Sequence, residues 1–322
     1  IMSSDWSSDV CSSDLLVVPN VPAVQRALVI GGGVAGMPAA LSIADLGFPV
    51  DLVEKNSRLG GNLLWLRRTI DGLDVQELLT ETVSRVEKHP NITVHKEATV
   101  IGAHGEAGRF FTTVRYADGN TANIDHGATI LAVGGSEAKT RSYGNGEQAQ
   151  VLTQSDLEKK LADKSVEPDK LNAVAMIQCV DSREEPRNYC SRVCCASAIK
   201  NALYLKEKNP DINVYILYRD IMTYGFTEKY FTEARKKGVV FFAYDREEKP
   251  RLEISENGSP TIMFRDKILR RPLEIAPDLV VLAPGVASNL SGDLSKFYGF
   301  DQDQDGFFME AESKWRPVDS LK

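Results

Sequence analysis

Four cysteines within one short window are the residues of this sequence most suited to chemistry. They are Cys179, Cys190, Cys194 and Cys195, and the last two are adjacent. Thiols this concentrated suit a soft metal centre better than a disulfide that staples a fold. We therefore expect a metal or redox site in this window.

The kind of metal follows from the ligands that the chain offers. Its four histidines lie far from the cysteines in sequence, which disfavours a zinc site of mixed Cys/His ligation. All-cysteine zinc sites usually contain paired Cys-x2-Cys segments, and the window has none. Irregularly spaced thiolates favour an iron–sulfur cluster. Redox-active thiols and buried structural cysteines stand as alternative interpretations.

Composition excludes several classes of function. A chain of 322 residues that is 43% hydrophobic and 26% charged can bury a core and form two domains. Its net charge of -7 and the lack of a basic stripe argue against nucleic-acid binding. No apolar stretch is long enough to span a bilayer. Clustered thiols predict a reducing compartment, the cytoplasm.

The first fifteen residues look foreign to the protein. Ser-Ser-Asp occurs three times in 1–15, around single Trp, Val and Cys residues. The run has neither a hydrophobic period nor the pattern of a signal peptide. It resembles translated sequencing-adapter DNA, so we exclude it, with Cys11, and expect the natural chain to begin near Leu16.

A glycine-rich turn in the first half predicts a dinucleotide site. An apolar strand leads into a G-x-G-x-x-G motif at Gly31, Gly33 and Gly36, and a helix follows. In this setting the glycines permit a tight turn, let the backbone approach a pyrophosphate and let helix and strand pack closely. Glu54, at the end of the next strand, is placed to bind the ribose. The alternative is a turn that binds nothing.

FAD is favoured over NAD by the segments that follow. Glu54 leads into a Gly60-Gly61-Asn62 loop, and a later apolar strand ends in Ala132-Val133-Gly134. These features resemble the two-dinucleotide-binding flavoprotein superfamily, in which such a loop wraps the flavin half of FAD. The predicted FAD-binding residues are Gly31, Gly33, Val34, Ala35, Gly36, Glu54, Lys55, Gly60, Gly61, Asn62, Ala132 and Gly134.

The cysteines lie in a second strand–turn–helix unit. A strand at 173–178, a helix at 191–208 and a strand at 214–218 are predicted, and the turn after the first strand contains no glycine. Related disulfide reductases hold NAD(P)H at this turn, so a thiolate-bound centre takes its place. Cys190 and Cys194 are expected to share a helical face. Arginines of the same loop either offset the cluster charge or are solvated cations: Arg183, Arg187 and Arg192.

Six motifs together identify a family resemblance. They lie at 31–37, 53–62, 178–195, 198–203, 215–221 and 316–319. The chain resembles the A-type subunit of heterodisulfide reductase over essentially all of 20–322, and the cysteine block is the most specific part.

The resemblance implies a flavoprotein subunit that holds FAD and an unusual [4Fe-4S] cluster. Its metal ligands would be Cys179, Cys190, Cys194 and Cys195. The partners would be other heterodisulfide reductase-like subunits, ferredoxin, and a hydrogenase or dehydrogenase electron donor. In such complexes the flavin divides an electron pair between a disulfide-reducing subunit and ferredoxin. No ferredoxin-type cysteine run is present, so further clusters would lie in missing sequence or in partners.

Two other functions remain open. One is a thioredoxin-reductase-like flavoprotein whose cysteines cycle between dithiol and disulfide, and the other is a non-catalytic electron-relay subunit. No side chain stands out as an acid–base catalyst.

The expected fold is α/β, with two Rossmann-like domains of the pyridine nucleotide-disulfide reductase kind, the second inserted in the first. The FAD-binding domain takes 16–150 and 275–322, and the inserted cluster domain takes 151–274. The second FAD-binding part is expected to be truncated, because relatives continue beyond the motif at 316–319.

Overall fold

The computed structural model describes residues 23–290 and 292–320, so the adapter-like segment at 1–15 lies outside the described residues. The first half contains β1 (Ala27–Ile30), α1 (Gly36–Asp45), β2 (Val50–Val53), α2 (Val75–Lys88), β3 (Ile92–His95), β4 (Ala98–Glu106), β5 (Arg109–Tyr116), β6 (Thr121–His126) and β7 (Ala128–Leu131). The strands β3, β2, β1 and β7 form a parallel sheet in this order. β4 to β6 form an antiparallel meander beside it.

The apolar pattern of the sequence accounts for this first sheet. All four residues of β1 are buried, as expected for a central parallel strand covered on both faces. Helix α2 begins after Asp74, whose carboxylate accepts from the backbone N–H groups of Gln76 and Glu77. Its residues Val75, Leu79 and Val86 are buried, whereas Leu78 is half exposed.

The second half contains another parallel sheet. Its elements are β8 (Gly135–Glu137), β9 (Val151–Thr153), α3 (Gln154–Ala162), β10 (Ala173–Ile177), α4 (Cys194–Lys208), β11 (Asn213–Tyr218), α5 (Glu228–Lys236), β12 (Val240–Ala243), β13 (Arg251–Ile254), β14 (Pro260–Arg265), β15 (Pro272–Ile275), β16 (Leu279–Leu282), β17 (Val286–Ser288) and α6 (Gly292–Tyr298). The sheet order is β12-β11-β10-β16-β9, and all its pairs are parallel. The predicted α/β class with two Rossmann-like units is confirmed.

Two smaller sheets complete the described fold. β13, β14 and β15 form an antiparallel meander on the second sheet. β8 pairs with β17 in an antiparallel ribbon where the chain passes between the halves. None of the helices in the described ranges is long and apolar enough to cross a membrane.

One strand lies outside the domain to which the sequence division assigns it. Strand β16 falls within 275–322, yet it pairs with β10 in the second sheet. Its four residues are buried, so the strand fits the centre of either parallel sheet equally well. The crossing back to the first half comes after β16. The domain division as a whole stays a prediction.

A buried ion pair joins the cysteine-bearing helix to the rest of the molecule. Lys200 on α4 donates to the Glu158 carboxylate on α3, and each side chain is only 6% exposed. The other Glu158 oxygen accepts from the backbone N–H of Arg67 at 2.7 Å. Burial lowers the pKa of Lys200, and Glu158 opposes this shift. The pair therefore links α4 to a loop of the first half.

We expect Lys200→Met to lower the free energy of unfolding by about 3–5 kcal/mol, because it leaves the Glu158 carboxylate charged and buried. The double variant Lys200→Met/Glu158→Gln should recover most of this loss, since the amide oxygen can still accept from Arg67. Urea denaturation measures both. Lys170→Met, which removes an exposed ion pair with Glu167, is the control and should stay within about 1 kcal/mol of the wild type. A Lys200 variant as stable as this control would contradict the prediction.

Candidate functional site

The three motif glycines have different surroundings in the turn between β1 and α1. Gly31 has a φ of +111°, and an added Cβ would lie 2.3 Å from the carbonyl oxygen of Ala132. A Cβ on Gly36 would lie 1.8 Å from the carbonyl oxygen of Gly31. A Cβ on Gly33 would meet nothing within 4 Å. Gly31 and Gly36 are therefore needed for packing, whereas Gly33 borders open space where a ligand can approach.

Glu54 is buried at the end of β2 and organises the same turn. Its carboxylate accepts from the backbone N–H of Gly32 at 2.8 Å. It also accepts from the backbone and side-chain N–H groups of Asn56, at 2.8 and 2.7 Å. A carboxylate has about four acceptor positions, so capacity remains for a further donor. Its contact with a ribose stays a prediction.

The second glycine segment lies directly against the first. Gly60, at a φ of +128°, donates its N–H to the carbonyl of Gly32 at 2.7 Å. A Cβ on Gly61 would lie 3.2 Å from the Cα of Gly33. The Asn62 amide donates to the carbonyl of Gly135 at 2.8 Å, beyond the end of β7. The loop thus connects the glycine turn to the predicted Ala132–Gly134 turn.

A cavity of about 220 Å³ lies at the carboxyl ends of β1 and β2. Gly31, Glu54 and Lys55 of the predicted set line it, and Val34 and Ala35 are exposed at the start of α1. The lining residues that sequence reasoning missed are Ile30, Val53, Ala98, Thr99, Val100, Val133, Asn289 and Leu294. Ligands of parallel α/β sheets bind at this edge.

Asn289 is the most informative of the missed residues. Its side-chain amide donates to the carbonyl of Val133 at 3.1 Å, and its backbone N–H donates to the carbonyl of Gly134 at 3.0 Å. A residue after β17 therefore fixes the turn after β7. No motif surrounds Asn289, so only the topology could have revealed it.

All four cysteines of the window line one small cavity in the second half. Cys179 follows β10, Cys190 lies in the loop, and Cys194 and Cys195 form the start of α4. All four are free thiols. The other lining residues are Ser182, Arg183, Ser191, Arg192, Asp220 and Met222. Residues that are up to sixteen positions apart in the sequence thus converge at one end of the strand–loop–helix unit.

The four thiols line a small cavity of about 10 Å³. Within 23–290 and 292–320, no three His, Cys, Asp or Glu side chains are arranged to hold a single metal ion. In a [4Fe-4S] centre the four thiolates bind four different iron atoms, so their sulfurs need not meet. The donor set, four cysteines on one cavity, has the composition that such a cluster requires.

The expected helical face shared by Cys190 and Cys194 is wrong. The sequence predicts a helix over 191–208, but α4 begins at Cys194. Arg192 has a φ of +62°, a left-handed conformation that a right-handed helix excludes. Cys190 therefore reaches the cavity from the loop.

The cysteine loop concentrates unusual backbone geometry. Eight non-glycine residues in the described part of the chain have a positive φ, and half of them lie in this loop: Cys179, Asp181, Arg183 and Arg192. Each such residue costs about 1–3 kcal/mol and persists only where its surroundings enforce it. Such outliers cluster at functional sites, which favours a binding role for the loop.

Hydrogen bonds around Asp181 enforce this geometry. Its carboxylate accepts from the hydroxyls of Thr140 and Ser142, at 2.5 and 2.8 Å. Its backbone carbonyl accepts two bonds from the Arg187 guanidinium, at 3.0 and 2.7 Å. The loop is thereby fixed both to itself and to the segment that follows β8.

Burial raises the pKa of both thiols at the start of α4. Burial, followed by the neighbouring Cys195 and Cys179 sulfurs, raises the pKa of Cys194 to about 12. Burial also raises the pKa of Cys195 to about 11. Without metal these two thiols are protonated at neutral pH, so metal binding must release their protons.

Cys179 also forms part of the wall of a larger cleft of about 960 Å³. The cleft lies between the ends of β10, β11 and β12 and the β13–β15 meander. Arg219 is buried there, donates to the carbonyl of Ser182 at 3.3 Å and pairs with Glu184 at 3.3 Å. Lys249 pairs with the other Glu184 oxygen at 2.6 Å. Cys179 therefore separates the cysteine cavity from an open cleft.

The β8–β17 ribbon brings the two halves together at the cysteine loop. A Cβ on Gly285, just before β17, would lie 3.0 Å from the Ser182 hydroxyl and 3.1 Å from the Ser191 hydroxyl. Ser191 accepts from the N–H of Val286 at 2.8 Å, and the Tyr189 hydroxyl donates to the Val286 carbonyl at 2.7 Å. The ribbon thus lies between the glycine turns and the cysteines.

Comparisons with known proteins agree with this arrangement. The sequence profile of the pyridine nucleotide-disulphide oxidoreductase family matches residues 25–177. The chain is 29% identical to the A-type subunit of the ferredoxin/F(420)H(2)-dependent CoB-CoM heterodisulfide reductase of Methanosarcina acetivorans, over 95% of this chain and 50% of that protein. It is 32% identical to the A-type subunit of the H(2):CoB-CoM heterodisulfide,ferredoxin reductase of Methanothermobacter thermautotrophicus, over 92% of this chain and 59% of that protein.

The fold has a counterpart among solved structures. Thioredoxin reductase of Lactococcus lactis superposes with a TM-score of 0.61 and 16% identity, over 91% of this chain and 87% of that one. At this identity the likeness concerns the fold alone. The predicted resemblance to the A-type subunit of heterodisulfide reductase is confirmed, and the family match supports a flavin site. The chain spans between half and three fifths of the length of the two relatives named above.

The glycine turn yields a test that separates packing from ligand binding. Gly36→Ala should destabilise the protein by about 1–3 kcal/mol, because its Cβ would collide with a backbone oxygen. Gly33→Ala should leave stability within about 0.5 kcal/mol, since its Cβ enters open space. It should nevertheless weaken FAD binding at least about tenfold, which is about 1.4 kcal/mol. Urea denaturation and fluorescence titration with FAD measure the two effects. Unchanged FAD affinity in Gly33→Ala would rule out a ligand at this position.

The buried thiols predict a loss of stability at alkaline pH. The folded chain raises the pKa of Cys194 from 9.0 to about 12, so folding favours the protonated thiol. The resulting stabilisation is complete below about pH 9 and is lost as the pH rises toward 12. In metal-free protein, the free energy of unfolding of Cys194→Ala should therefore fall less steeply over this window than that of the wild type. Ser197→Ala is the matched control in the same helix. Parallel curves for Cys194→Ala and the wild type would refute the assignment.

Proposed function

We propose, from the relationship to the A-type subunits of heterodisulfide reductases, that this chain is the FAD- and [4Fe-4S]-binding subunit of a heterodisulfide reductase-like oxidoreductase. The observation that carries the proposal is the convergence of four thiols on one cavity in the second Rossmann-like unit. The first unit has a glycine turn at the equivalent position. One strand–turn–helix unit is thus built for a dinucleotide and the other for a metal centre.

The residues of the first half fit FAD. Gly33 leaves space for the pyrophosphate, and α1 begins without a side-chain cap, so the N–H of Gly36 can face an anion. The next two residues offer no free donor, because Met37 donates to the Gly33 carbonyl and Pro38 has no N–H. Glu54 has acceptor capacity for the ribose, and the Gly60–Asn62 loop adjoins the turn where the flavin half would lie. The residues proposed to hold FAD are Gly31, Gly33, Val34, Ala35, Gly36, Glu54, Lys55, Gly60, Gly61, Asn62, Ala132 and Gly134.

The residues of the second half fit a thiolate-bound cluster. Cys179, Cys190, Cys194 and Cys195 supply four soft ligands. Helix α4 also begins without a side-chain cap, and its N-terminal dipole favours thiolates over thiols. The strained loop holds Cys179 in place, and Ser191 ties the segment beside Cys190 to β17.

When bound, FAD would exchange electron pairs and the cluster single electrons, while the protein positions them. Asn62 and Asn289 fix the turn beyond β7, and the β8–β17 ribbon leads from this turn to the cysteine loop. The ribbon therefore provides a continuous connection between the two proposed centres.

Partner proteins belong to the same proposal. They would be other heterodisulfide reductase-like subunits, ferredoxin, and a hydrogenase or dehydrogenase that donates electrons. The compartment would be the cytoplasm, where thiolates remain reduced. In the proposed activity, an electron pair is divided between a disulfide-reducing subunit and ferredoxin.

Iron, sulfide and flavin analysis of the anaerobically purified natural polypeptide tests the proposal. We expect about four irons and one FAD per chain. Cys194→Ala should lose most of the iron and keep the flavin, because the two sites use different halves. Val193→Ala, an exposed neighbour at the start of the same helix, is the control and should keep both. Flavin without iron, together with a reducible disulfide among the four cysteines, would instead support the thioredoxin-reductase-like function.

A further inference from the structure

The three arginines of the cysteine loop have different positions. Arg187 donates both of its described bonds to the carbonyl of Asp181, so it shapes the loop. Arg192 is exposed at the rim of the cysteine cavity. Arg183 lines the cavity and is largely covered, with 31% of its side chain exposed. Of the three, Arg183 alone combines a partly buried charge with contact to a thiol.

The guanidinium of Arg183 is held between two partners. Its Nη2 lies 2.8 Å from a carboxylate oxygen of Asp220, the residue whose carbonyl accepts from the Cys195 thiol at 3.6 Å. Arg183 also makes a side-chain hydrogen bond with Cys179. Its backbone φ of +61° is one of the four left-handed values in the loop.

One nitrogen of the Arg183 guanidinium is left over by these contacts. Its Nη1 is buried and has no hydrogen-bond partner among the described residues. A buried, charged donor without a partner is destabilising unless something else satisfies it. Four thiolates around bound iron and sulfide would supply both negative charge and sulfur acceptors beside it. A cluster bound by the four thiolates would therefore supply the partner that the Nη1 donor of Arg183 lacks.

We infer that Arg183 is a positioning residue for the proposed cluster: it holds Cys179 and directs its unpaired Nη1 donor and its charge at the bound centre. The inference rests on the proposed function. A fixed cation beside the cluster stabilises the reduced form, which carries one more negative charge, and so raises the reduction potential.

Reduction potentials of the iron-loaded protein test this inference. They are measured by EPR-monitored redox titration, beside iron and sulfide analysis of the same samples. Arg183→Gln should bind the wild-type amount of iron and show a potential at least about 59 mV lower, which corresponds to a tenfold change in the one-electron equilibrium. Arg183→Lys keeps the charge but not the fork of donors, so its shift should be smaller.

A matched control separates local from general charge effects. Arg246→Gln makes the same change in net charge at a side chain that is 55% exposed in the neighbouring cleft, and its potential should stay near that of the wild type. Equal potentials in Arg183→Gln and Arg246→Gln would overturn the inference while leaving the proposed function intact. A wild-type protein that binds no iron would overturn both.

A second outcome concerns assembly of the cluster on the protein. If Arg183→Gln holds no iron, iron content in Arg183→Lys decides the matter. Iron restored by lysine would support a requirement for a cation at this position. A lysine variant as empty as the glutamine variant would show that Arg183 only shapes the loop, which overturns the inference.

Discussion

The rest of the cysteine site depends on one constraint: four ionisable sulfurs line one small cavity. Burial, followed by the neighbouring sulfurs, keeps Cys194 and Cys195 protonated. In an empty site these two residues are therefore neutral thiols, and a positive centre is needed to stabilise their thiolates. Three other features affect the balance between thiol and thiolate. They are the left-handed loop, the uncapped start of α4 and the partly buried Arg183.

The two halves share a strand–turn–helix topology but have different side chains in the turn. In the first half, glycines have no side chain, so backbone atoms approach each other and space remains at Gly33. In the second, the same strand–turn–helix topology is lined by thiols, and the turn reaches left-handed conformations without glycine. Hydrogen bonds to the loop carbonyls, from Arg187 and Arg219, stabilise conformations that glycine would adopt freely. The chemistry of each site thus follows from which residues occupy a common geometry.

Much of this arrangement could be predicted from the sequence. The parallel strands are short apolar runs, and the glycine spacing together with the cysteine window gives the location of both sites. Three features could not be predicted, because they depend on distant contacts. Asn289 reaches the glycine turns only through the ribbon, and β16 joins the second sheet although its sequence suits either one. The start of α4 depends on the left-handed φ of Arg192, which the surrounding loop enforces.

The β8–β17 ribbon has a mechanical consequence. Each strand is three residues long, and the two cross between the halves side by side. Asn289 donates to the turn after β7, and Val286 donates to Ser191 of the cysteine loop, so the ribbon is anchored at both ends. A rotation of one half against the other must twist both strands together. Such a hinge would transmit its torque directly to the peptide groups that border both proposed redox centres.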